Sequence, residues 1–373
     1  MRVLITGMTS NYGGVESYVF ELYKQLRNDI RFSFLVNTTD KIAFEDELIS
    51  DGCEIVRLPS RRKDFLSHYQ QYGSFFRNNS SKYDLIYCNL LSLTNIDDVK
   101  YASKYGLPII VHSHNCDDDI KGLLNYRAKL HDLHRKMMEK LYITRLACSE
   151  EAGRWMFGSS KFETINNFID TKKYRFSEVK REQIRNNLGI SESTTVFGTT
   201  GRLEPQKNSL FYVILYNEIH KSNPNTIFLH LGDGSLREEM NSLIQKYGLE
   251  DSYFLLGMKD NADEFYNAFD YFAFLSAYEG FGISLLESQC NGLVSFISNR
   301  IPQSARANDE LLYEINLDDS VERSAETIMK VLSTKTINDR SKYSEELYRM
   351  GFDAEKSCSY VYSIMKERGR SSD

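Results

Sequence analysis

The stretch YFAFLSAYEGFGISLLESQCNGLVSFIS, from Tyr271 to Ser298, contains one complete strand–helix–strand unit. Its first apolar run, Tyr271–Leu275, predicts a buried strand. A Gly-x-Gly turn follows, and the segment from about Ile283 predicts a helix that leads into a second apolar run, LVSFIS. Two buried strands joined by a helix indicate neighbouring parallel strands in one sheet.

The same alternation extends over the rest of the chain. Apolar runs such as RVLITG, RFSFLVN and PIIVHSH in the first half, and TVFGTTGRL, TIFLHLGDG and YFLLGM in the second, alternate with helical patterns. A chain of 373 residues is too long for one ordinary core. We therefore predict an α/β fold with two Rossmann-like, doubly wound domains, residues 1–167 and 168–343, that face each other across a cleft at the carboxyl ends of both sheets.

Composition narrows the class of protein. A net charge of -6 gives no reason to expect nucleic-acid binding. The six cysteines are scattered without a Cys-x-x-Cys pair, which favours a reducing compartment over a disulfide framework or a zinc site. The start MRVLITG lacks the pattern of a signal peptide, and no apolar run approaches the ~20 residues that span a bilayer. These features predict a cytoplasmic protein, either soluble or peripherally bound to a membrane.

Two carboxylates flank the glycine turn of the opening stretch. Glu279 precedes the turn, and Glu287 lies about one turn inside the following helix. The N–H groups at a helix start bind anions, and carboxylates accept hydrogen bonds from sugar and ribose hydroxyls. The alternative is an ordinary glycine-bearing strand–helix turn with two solvated acids, because a short Gly-x-Gly is a weak motif.

Two cations follow the first predicted strand of the same half. Arg202 and Lys207 lie in GRLEPQKN, at the carboxyl end of that strand, where doubly wound folds bind ligands. Two cations there are able to neutralise a diphosphate leaving group. The alternative is a pair of solvated surface cations.

Four motifs, in this order and spacing, resemble the donor-binding half of the retaining GT-B glycosyltransferases of family 4: GRLEPQKN, LGDG, LLG and EGFGISLLE. The resemblance covers nearly the whole chain and is greatest to the exopolysaccharide and capsule enzymes of EpsF type. Glu279 and Glu287 match the E-x7-E motif of that family. The resemblance also implies that a last helix, residues 344–373, crosses back to pack on the first domain.

The resemblance implies a role for each matching position. Arg202 and Lys207 hold the donor diphosphate, Glu287 binds the ribose hydroxyls, and Glu279 binds hydroxyls of the sugar. Backbone amides near the helix start approach the sugar (Phe281, Gly282, Ile283) and the phosphates (Ser284, Leu285). The remaining implied donor-side positions are glycines or backbone: Gly257 and Met258 at the nucleobase, Gly232 and Gly234 in a tight turn beside it, and Gly13 and Gly14 at the diphosphate and acceptor.

Two positions depart from the family pattern. Gly292-Leu293-Val294 lacks the usual proline after the helix, and NRIPQSARAND lacks the common Gly-Gly. These departures leave the sugar-side and acceptor-side contacts of that loop open.

The motif HSHN (His112–Asn115) matches a family position at which a histidine faces the donor sugar. His112 and His114 lie two residues apart, so both point the same way on a strand. We favour His114 for the site, with a purely structural pair as the alternative. No third ligand follows at a suitable spacing, and residues 117–119 are interpreted as a solvated acidic loop, so we expect no metal site.

The predicted reaction is retaining glycosyl transfer from a nucleotide-sugar, specifically a UDP-sugar, to an acceptor hydroxyl, without a metal or other cofactor. The implied acceptor is a lipid-linked saccharide in exopolysaccharide or capsule synthesis. Alternatives are a GT-B sugar-nucleotide 2-epimerase, an inverting transferase and a non-catalytic partner of a transferase. A dehydrogenase is disfavoured because GMTSNYGG is not Gly-x-Gly-x-x-Gly.

A basic segment bears on partners. Residues 121–145 combine lysines and arginines with an apolar stripe, a pattern of helices that lie on anionic lipid at the inner face of the cell membrane. Ser60–Lys63 adds further positive charge. The alternative is a helix packed on the core with a solvated basic face.

Overall fold

The computed structural model describes residues 1–61, 64–115, 126–279, 281–335 and 339–370. The chain divides into two compact units. The first contains Met1–Phe168 together with the segment that begins at Ala354, and the second contains Ile169–Asp353.

Strands and helices alternate through the first unit. Its elements up to residue 168 are β1 (Arg2–Thr6), α1 (Gly14–Leu26), β2 (Arg31–Val36), α2 (Glu45–Ser50), β3 (Glu54–Arg57), α3 (Phe65–Asn79), β4 (Leu85–Leu90), α4 (Asp97–Lys104), β5 (Ile109–Ser113), α5 (Tyr126–Glu139), β6 (Thr144–Ala147), α6 (Glu150–Phe157) and β7 (Glu163–Thr164). The seven strands form a parallel sheet in the order β3-β2-β1-β4-β5-β6-β7. Every residue of β4 and β5 is buried, because apolar clusters cover both faces of the sheet.

The second unit repeats this architecture. Its elements are α7 (Glu178–Asn187), β8 (Thr195–Thr200), α8 (Ser209–Ser222), β9 (Thr226–Leu231), α9 (Arg237–Tyr247), β10 (Tyr253–Gly257), α10 (Ala262–Ala268), β11 (Tyr271–Phe274), α11 (Ile283–Cys290), β12 (Val294–Ser298), β13 (Leu312–Ile315), α12 (Val321–Thr334) and α13 (Lys342–Arg349). Six parallel strands form a sheet in the order β10-β9-β8-β11-β12-β13. The predicted α/β architecture of two Rossmann-like domains is confirmed.

Strand order positions the ligand edge of each unit. The first strand of each sheet, β1 or β8, lies between a neighbour that follows it in sequence and one that comes three strands later. The connections therefore leave in opposite directions at β1/β4 and at β8/β11. Ligands of open α/β sheets bind at such switch points, outside the carboxyl ends of the strands.

The boundary at the C-terminal end differs from the prediction. The helix that returns to the first unit is α14 (Ala354–Arg368), ten residues later than the expected start at residue 344. Residue 344 lies instead in α13, which stays in the second unit because Tyr343 and Leu347 are buried there. The first division of the chain falls between residues 168 and 169, one residue after the predicted one.

Candidate active site

The predicted donor-binding residues of the second unit gather at one edge of its sheet. They lie at or after the carboxyl ends of β8, β9, β10 and β11, or in α11: Arg202, Lys207, Gly232, Gly257, Met258, Glu279, Phe281, Gly282, Ile283, Ser284, Leu285 and Glu287. The loops after β8 and β11 contact each other directly. Ala277 N–H donates to the Gln206 carbonyl at 2.9 Å, and Asn208 Nδ2 donates to the Leu275 carbonyl at 3.2 Å. Strand order thus joins two motifs that are about 70 residues apart in sequence.

An ion pair links these two loops. Lys207 Nζ donates to Glu279 Oε1 at 2.5 Å. The Lys207 side chain is 20% exposed and that of Glu279 is 7% exposed. The ammonium also lies 5.6 Å from the centre of the Phe274 ring, within the range of a cation–π contact. Neither residue is therefore a solvated surface charge, contrary to the alternative interpretation of both motifs.

Arg202 lies in the same loop but faces solvent. Its Nη2 donates to Gln206 Oε1 at 3.2 Å. Gln206 Nε2 in turn donates to the Tyr278 carbonyl at 3.4 Å, which places Arg202 beside the loop that contains Glu279. Arg202 matches the alternative of an exposed cation, although its position at the ligand edge agrees with the prediction.

The start of α11 requires glycine at position 282. Gly282 has a φ of +99°, and a Cβ there would lie 2.9 Å from the Phe274 ring. The Leu285 N–H, expected at the phosphates, instead donates to the Gly282 carbonyl at 3.0 Å and closes the first turn. The earlier amides, those of Ile283 and Ser284, precede the intrahelical hydrogen bonds, and amides in this position of a helix are the ones that commonly bind anions.

Glu287 projects from α11 against a buried tyrosine. Tyr266 of α10 donates its hydroxyl proton to Glu287 Oε2 at 2.6 Å. Burial raises the pKa of Glu287, and hydrogen bonds from Tyr266 and Tyr174 oppose that rise. Glu287 is therefore a positioned carboxylate and not a solvated acid. Tyr266 has no recognisable signal in the sequence, since it is one of 24 tyrosines and lies in a short helix without a motif.

The glycines after β9 and β10 form the expected tight turn. Gly232 has a φ of +142°, and a Cβ there would lie 1.8 Å from the Gly201 carbonyl oxygen. Its N–H donates to the Gly257 carbonyl at 2.9 Å. A Cβ on Gly234 would lie 2.5 Å from the Leu203 carbonyl oxygen, so this turn also depends on glycine. Met258, which follows Gly257, is 68% exposed.

In the first unit, His114 follows β5 at the carboxyl edge of the sheet. Asn89 Nδ2 donates to the Thr6 carbonyl at 2.9 Å, so the amide oxygen of Asn89 faces His114 Nε2 at 2.8 Å. His114 must therefore donate through Nε2 and keep Nδ1 as an acceptor. Burial lowers the pKa of His114 to about 3, which makes this imidazole neutral at physiological pH. Asn89, which sets the tautomer, was not predicted.

His112 lies two residues earlier, within β5, and belongs to a buried hydrogen-bond network. Its Nδ1 lies 2.7 Å from the Tyr87 hydroxyl, which lies 3.1 Å from the Tyr18 hydroxyl. Burial, together with the neighbouring His114, lowers the pKa of His112 far below its usual value. The two imidazole rings are 4.1 Å apart. Of the two, His114 follows β5 at the carboxyl edge of the sheet, whereas His112 lies within β5 among buried side chains.

The predicted glycine loop leads into α1, which starts at Gly14. A Cβ on Gly13 would lie 2.9 Å from Glu16 Oε2, whereas one on Gly14 would meet no atom within 4 Å. Glu16 accepts from the backbone N–H of Thr9 at 3.2 Å and from its hydroxyl at 2.5 Å. A Cβ on Gly13 would therefore require the Glu16 carboxylate to shift, while the space beside Gly14 is open.

The basic segment is only partly described, because residues 121–125 lie outside the described ranges. The buried residues of α5 are His131, His134 and Met138, of which only Met138 belongs to the predicted apolar stripe. Leu133 and Met137 point outward instead and are 55% and 38% exposed. None of the helices within the described ranges is long and apolar enough to cross a bilayer.

Within the described ranges, no group of three or more His, Cys, Asp or Glu side chains is arranged to hold a metal ion. The acidic residues 117–119 lie outside those ranges.

Comparison with known proteins assigns both units. Residues 12–173 match the sequence model of Glycosyltransferase Family 4, and residues 180–350 match that of Glycosyl transferases group 1. The glycosyltransferase EpsF of Bacillus subtilis is 26% identical over 380 residues, which cover 98% of this chain and 97% of EpsF. The chain belongs to glycosyltransferase family 4.

Other relatives and solved structures agree with this family 4 assignment. The UDP-Gal:alpha-D-GlcNAc-diphosphoundecaprenol alpha-1,3-galactosyltransferase of Escherichia coli is 26% identical over 337 residues, covering 84% of this chain and 81% of that enzyme. The crystal structure of Anabaena HepE in complex with UDP has a TM-score of 0.79 at 17% identity and covers 98% of this chain and 100% of that chain. The structural similarity to HepE shows the fold, which is GT-B.

These comparisons confirm the predicted family, the GT-B fold and the class of enzyme, a glycosyltransferase. The roles implied for Glu279, Lys207, Glu287 and His114 remain predictions, and the structure gives each of these side chains a defined position.

Proposed function

We propose that this family 4 glycosyltransferase moves a sugar from a UDP-sugar to a hydroxyl of a lipid-linked saccharide, with retention, in exopolysaccharide or capsule synthesis. The observation that carries the proposal is the desolvated Lys207–Glu279 pair beside the start of α11. The names of two relatives support the substrate classes. One Escherichia coli relative is a UDP-Gal-dependent transferase that acts on a diphosphoundecaprenol acceptor, and Anabaena HepE was crystallised with UDP-glucose.

In the proposed reaction the bond between the sugar C1 and the diphosphate oxygen breaks, and a bond from C1 to the acceptor oxygen forms. Negative charge grows on the departing diphosphate. A lysine ammonium has three N–H donors, and Lys207 uses one of them on Glu279, so two remain for the diphosphate. With Arg202 and the α11 amides, they stabilise the transition state more than the ground state, and one such donor is typically worth about 2.7–4 kcal/mol.

Retention is proposed to follow a front-face route. A double displacement needs a carboxylate close beneath the anomeric carbon. Glu279 accepts a hydrogen bond from Lys207, and Glu287 accepts one from Tyr266. These contacts favour roles other than nucleophile for both carboxylates. The departing phosphate oxygen then accepts the proton of the acceptor hydroxyl. Because two cations and a helix end already face the diphosphate, we propose that no metal ion is required.

Nucleotide binding to wild-type protein and to Glu287→Ala tests this proposal. We expect UDP, with EDTA present, to raise the melting temperature of the wild type and to leave Glu287→Ala unchanged. Lys246→Ala, in the distant helix α9, is the matched control and should behave as the wild type does. A panel of UDP-sugars should then give one donor that is consumed only when a saccharide acceptor is added.

Three results would contradict the proposal. Stabilisation by GDP or ADP compounds alone would exclude the UDP-sugar donor. Conversion of a UDP-sugar to its 2-epimer without an acceptor would assign the epimerase activity. Loss of turnover with EDTA and recovery with Mg²⁺ would contradict metal independence.

We also propose that the outward face of α5 contacts the anionic inner surface of the membrane, where a lipid-linked acceptor resides. Lys129, Lys136 and Lys140 are exposed on and just after α5, beside Leu133 and Met137. Basic residues around apolar side chains suit an anionic lipid surface. Flotation with phosphatidylglycerol vesicles should fail for Lys136→Glu/Lys140→Glu and succeed for Lys330→Glu in α12. Equal flotation of all three proteins would contradict the contact.

A further inference from the structure

The hydroxyl of Tyr266 joins three elements at the ligand edge of the second unit. It lies 2.8 Å from Thr200 Oγ1, at the end of β8, and 2.6 Å from Glu287 Oε2, in α11. Tyr266 itself belongs to α10. The chain of contacts therefore spans residues whose separations in sequence exceed 20 positions, and only the fold brings them together.

The number of protons on each group fixes the direction of these hydrogen bonds. A phenol has one proton, and an ionised carboxylate only accepts. The Ser284 carbonyl, a second acceptor in reach of Tyr266, lies 3.3 Å away and is the weaker partner. Tyr266 therefore donates to Glu287, and the Thr200 hydroxyl donates to the phenol oxygen. Charge-assisted hydrogen bonds of this kind are stronger than neutral ones.

The tyrosine is held at both ends. Its side chain is fully buried, and its ring lies 5.4 Å from that of Phe272 and 5.7 Å from that of Tyr174. Its backbone carbonyl accepts from Arg340 Nη2 at 3.0 Å. A side chain so enclosed cannot swing away from Glu287, so it fixes one oxygen of that carboxylate.

We propose that Tyr266 is a positioning residue for the nucleotide. By holding Oε2 of Glu287, it aims Oε1 at the ribose hydroxyls and makes the site selective for ribonucleotides over 2′-deoxyribonucleotides. The inference rests on the proposed function, in which Glu287 binds ribose. Tyr174 also hydrogen-bonds the Glu287 carboxylate, so the two tyrosines together fix its orientation. A site built to accept a hydroxyl proton rejects the analogue that lacks it, because that hydrogen bond is lost.

Binding of UDP and of 2′-deoxy-UDP to Tyr266→Phe, measured by isothermal titration calorimetry, tests the proposal. We expect the wild type to prefer UDP, and the variant to bind UDP about tenfold more weakly, because one hydrogen bond that orients a charged group is lost. Affinity for 2′-deoxy-UDP should change little, so the preference for ribose should collapse.

Tyr216→Phe is the matched control. Tyr216 is equally buried in the second unit, but its hydroxyl donates to the Thr226 carbonyl at 2.7 Å, at the amino end of β9. This variant should lose a buried hydroxyl of the same kind and keep the ribose preference of the wild type. Thr200→Val supplies a second variant if Tyr266→Phe fails to fold, and should lower the preference in the same direction.

The pH dependence of UDP affinity distinguishes a positioning role of Tyr266 from a merely structural one. The Tyr266 hydrogen bond lowers the pKa of Glu287, so its removal should raise the pKa of that carboxyl group. The ionised carboxylate is the form that binds ribose, so lowering the pH should weaken UDP binding. As the pH falls, this decline should begin at a higher pH in Tyr266→Phe than in the wild type.

The outcomes distinguish a failure of the proposed function from a failure of the role of Tyr266. If no nucleoside diphosphate binds the wild type, the proposed function fails, and this inference fails with it. If the wild type binds UDP but does not discriminate against 2′-deoxy-UDP, or if Tyr266→Phe discriminates equally, the role of Tyr266 alone is refuted.

Discussion

At the scale of single residues, the pairing of Lys207 with Glu279 explains why two charged side chains persist at a largely desolvated position. Each would be costly there alone, because removing one partner of a buried ion pair leaves the other charge uncompensated. Glu279 orients the ammonium, and the Phe274 ring supports it from another side. The pair is therefore both a structural link between two loops and a preorganised cation.

We expect Lys207→Ala to lower kcat by about 10²–10³-fold, because it removes charge compensation on the departing diphosphate. Steady-state kinetics with the assigned UDP-sugar measures this effect. Protein stability should fall as well, since Glu279 keeps its carboxylate without a partner, at a cost of about 3–5 kcal/mol.

The double variant Lys207→Ala/Glu279→Gln separates the two effects. It removes both charges and should recover stability relative to Lys207→Ala while kcat stays low, with Glu279→Gln reporting the share due to Glu279. Wild-type turnover by either Lys207 variant would contradict the diphosphate assignment.

At the scale of elements, the C-terminal helix completes the core of the first unit. Cys358, Val361 and Met365 of α14 are fully buried in the cluster that also contains residues of β1 and α1. Buried apolar side chains of this size contribute both transfer free energy and close packing. The helix is thus an integral part of the first unit, although some 185 residues of the second unit separate it from α6 and β7 in sequence.

We expect Met365→Ala to destabilise the first unit by about 2–5 kcal/mol, because it leaves a cavity between α14 and the sheet. Hydrogen exchange in urea should show reduced protection of peptides from β1 and unchanged protection of peptides from β8. Ser359→Ala, on the exposed face of the same helix, is the control. Equal loss of protection in both strands would mean that the units do not unfold separately.

At the scale of the whole molecule, buried histidines make the fold sensitive to acid. Burial lowers the pKa of His114 and of His230 to about 3, and that of His112 far below its usual value. The unfolded chain binds these protons near a pKa of about 6.5, so it holds more protons than the folded chain below that pH. Stability is therefore full above pH 6.5 and is lost as the pH falls below it. Burial raises the pKa of Asp98 and Glu287, which offsets part of this loss at lower pH.

We expect each of these histidines to cost about 1.4 kcal/mol of stability between pH 7.5 and pH 5.5. Calorimetric unfolding of the wild type and of His114→Gln at the two pH values measures the effect. The variant should lose about 1.4 kcal/mol less than the wild type on acidification. The same loss in both proteins would show that His114 is protonated in the folded state at pH 5.5.

The sequence alone determined the architecture, the family and the position of the candidate site. Runs of buried strand residues alternate with helical patterns, and this local periodicity is enough to predict two parallel sheets. The motifs follow strands, so the direction of the chain already places Arg202, Lys207, Glu279 and His114 at carboxyl ends. The glycine turns at Gly232 and Gly282 are also visible in the sequence, although the neighbours that a Cβ would meet there, Gly201 and the Phe274 ring, are set by the fold.

The contacts within the site were decided only by the tertiary structure. Lys207 meets Glu279, and Tyr266 meets Glu287, because β8 lies beside β11 although two strands intervene in sequence. Strand order depends on how whole helices cover the sheet, which no local pattern encodes. The orientation of α5 also depends on tertiary contacts. His131 and His134 are buried and form hydrogen bonds with the backbone of Leu93, whereas Leu133 points outward. Periodicity identifies an amphipathic helix, but the polar partners across the interface decide which face is buried.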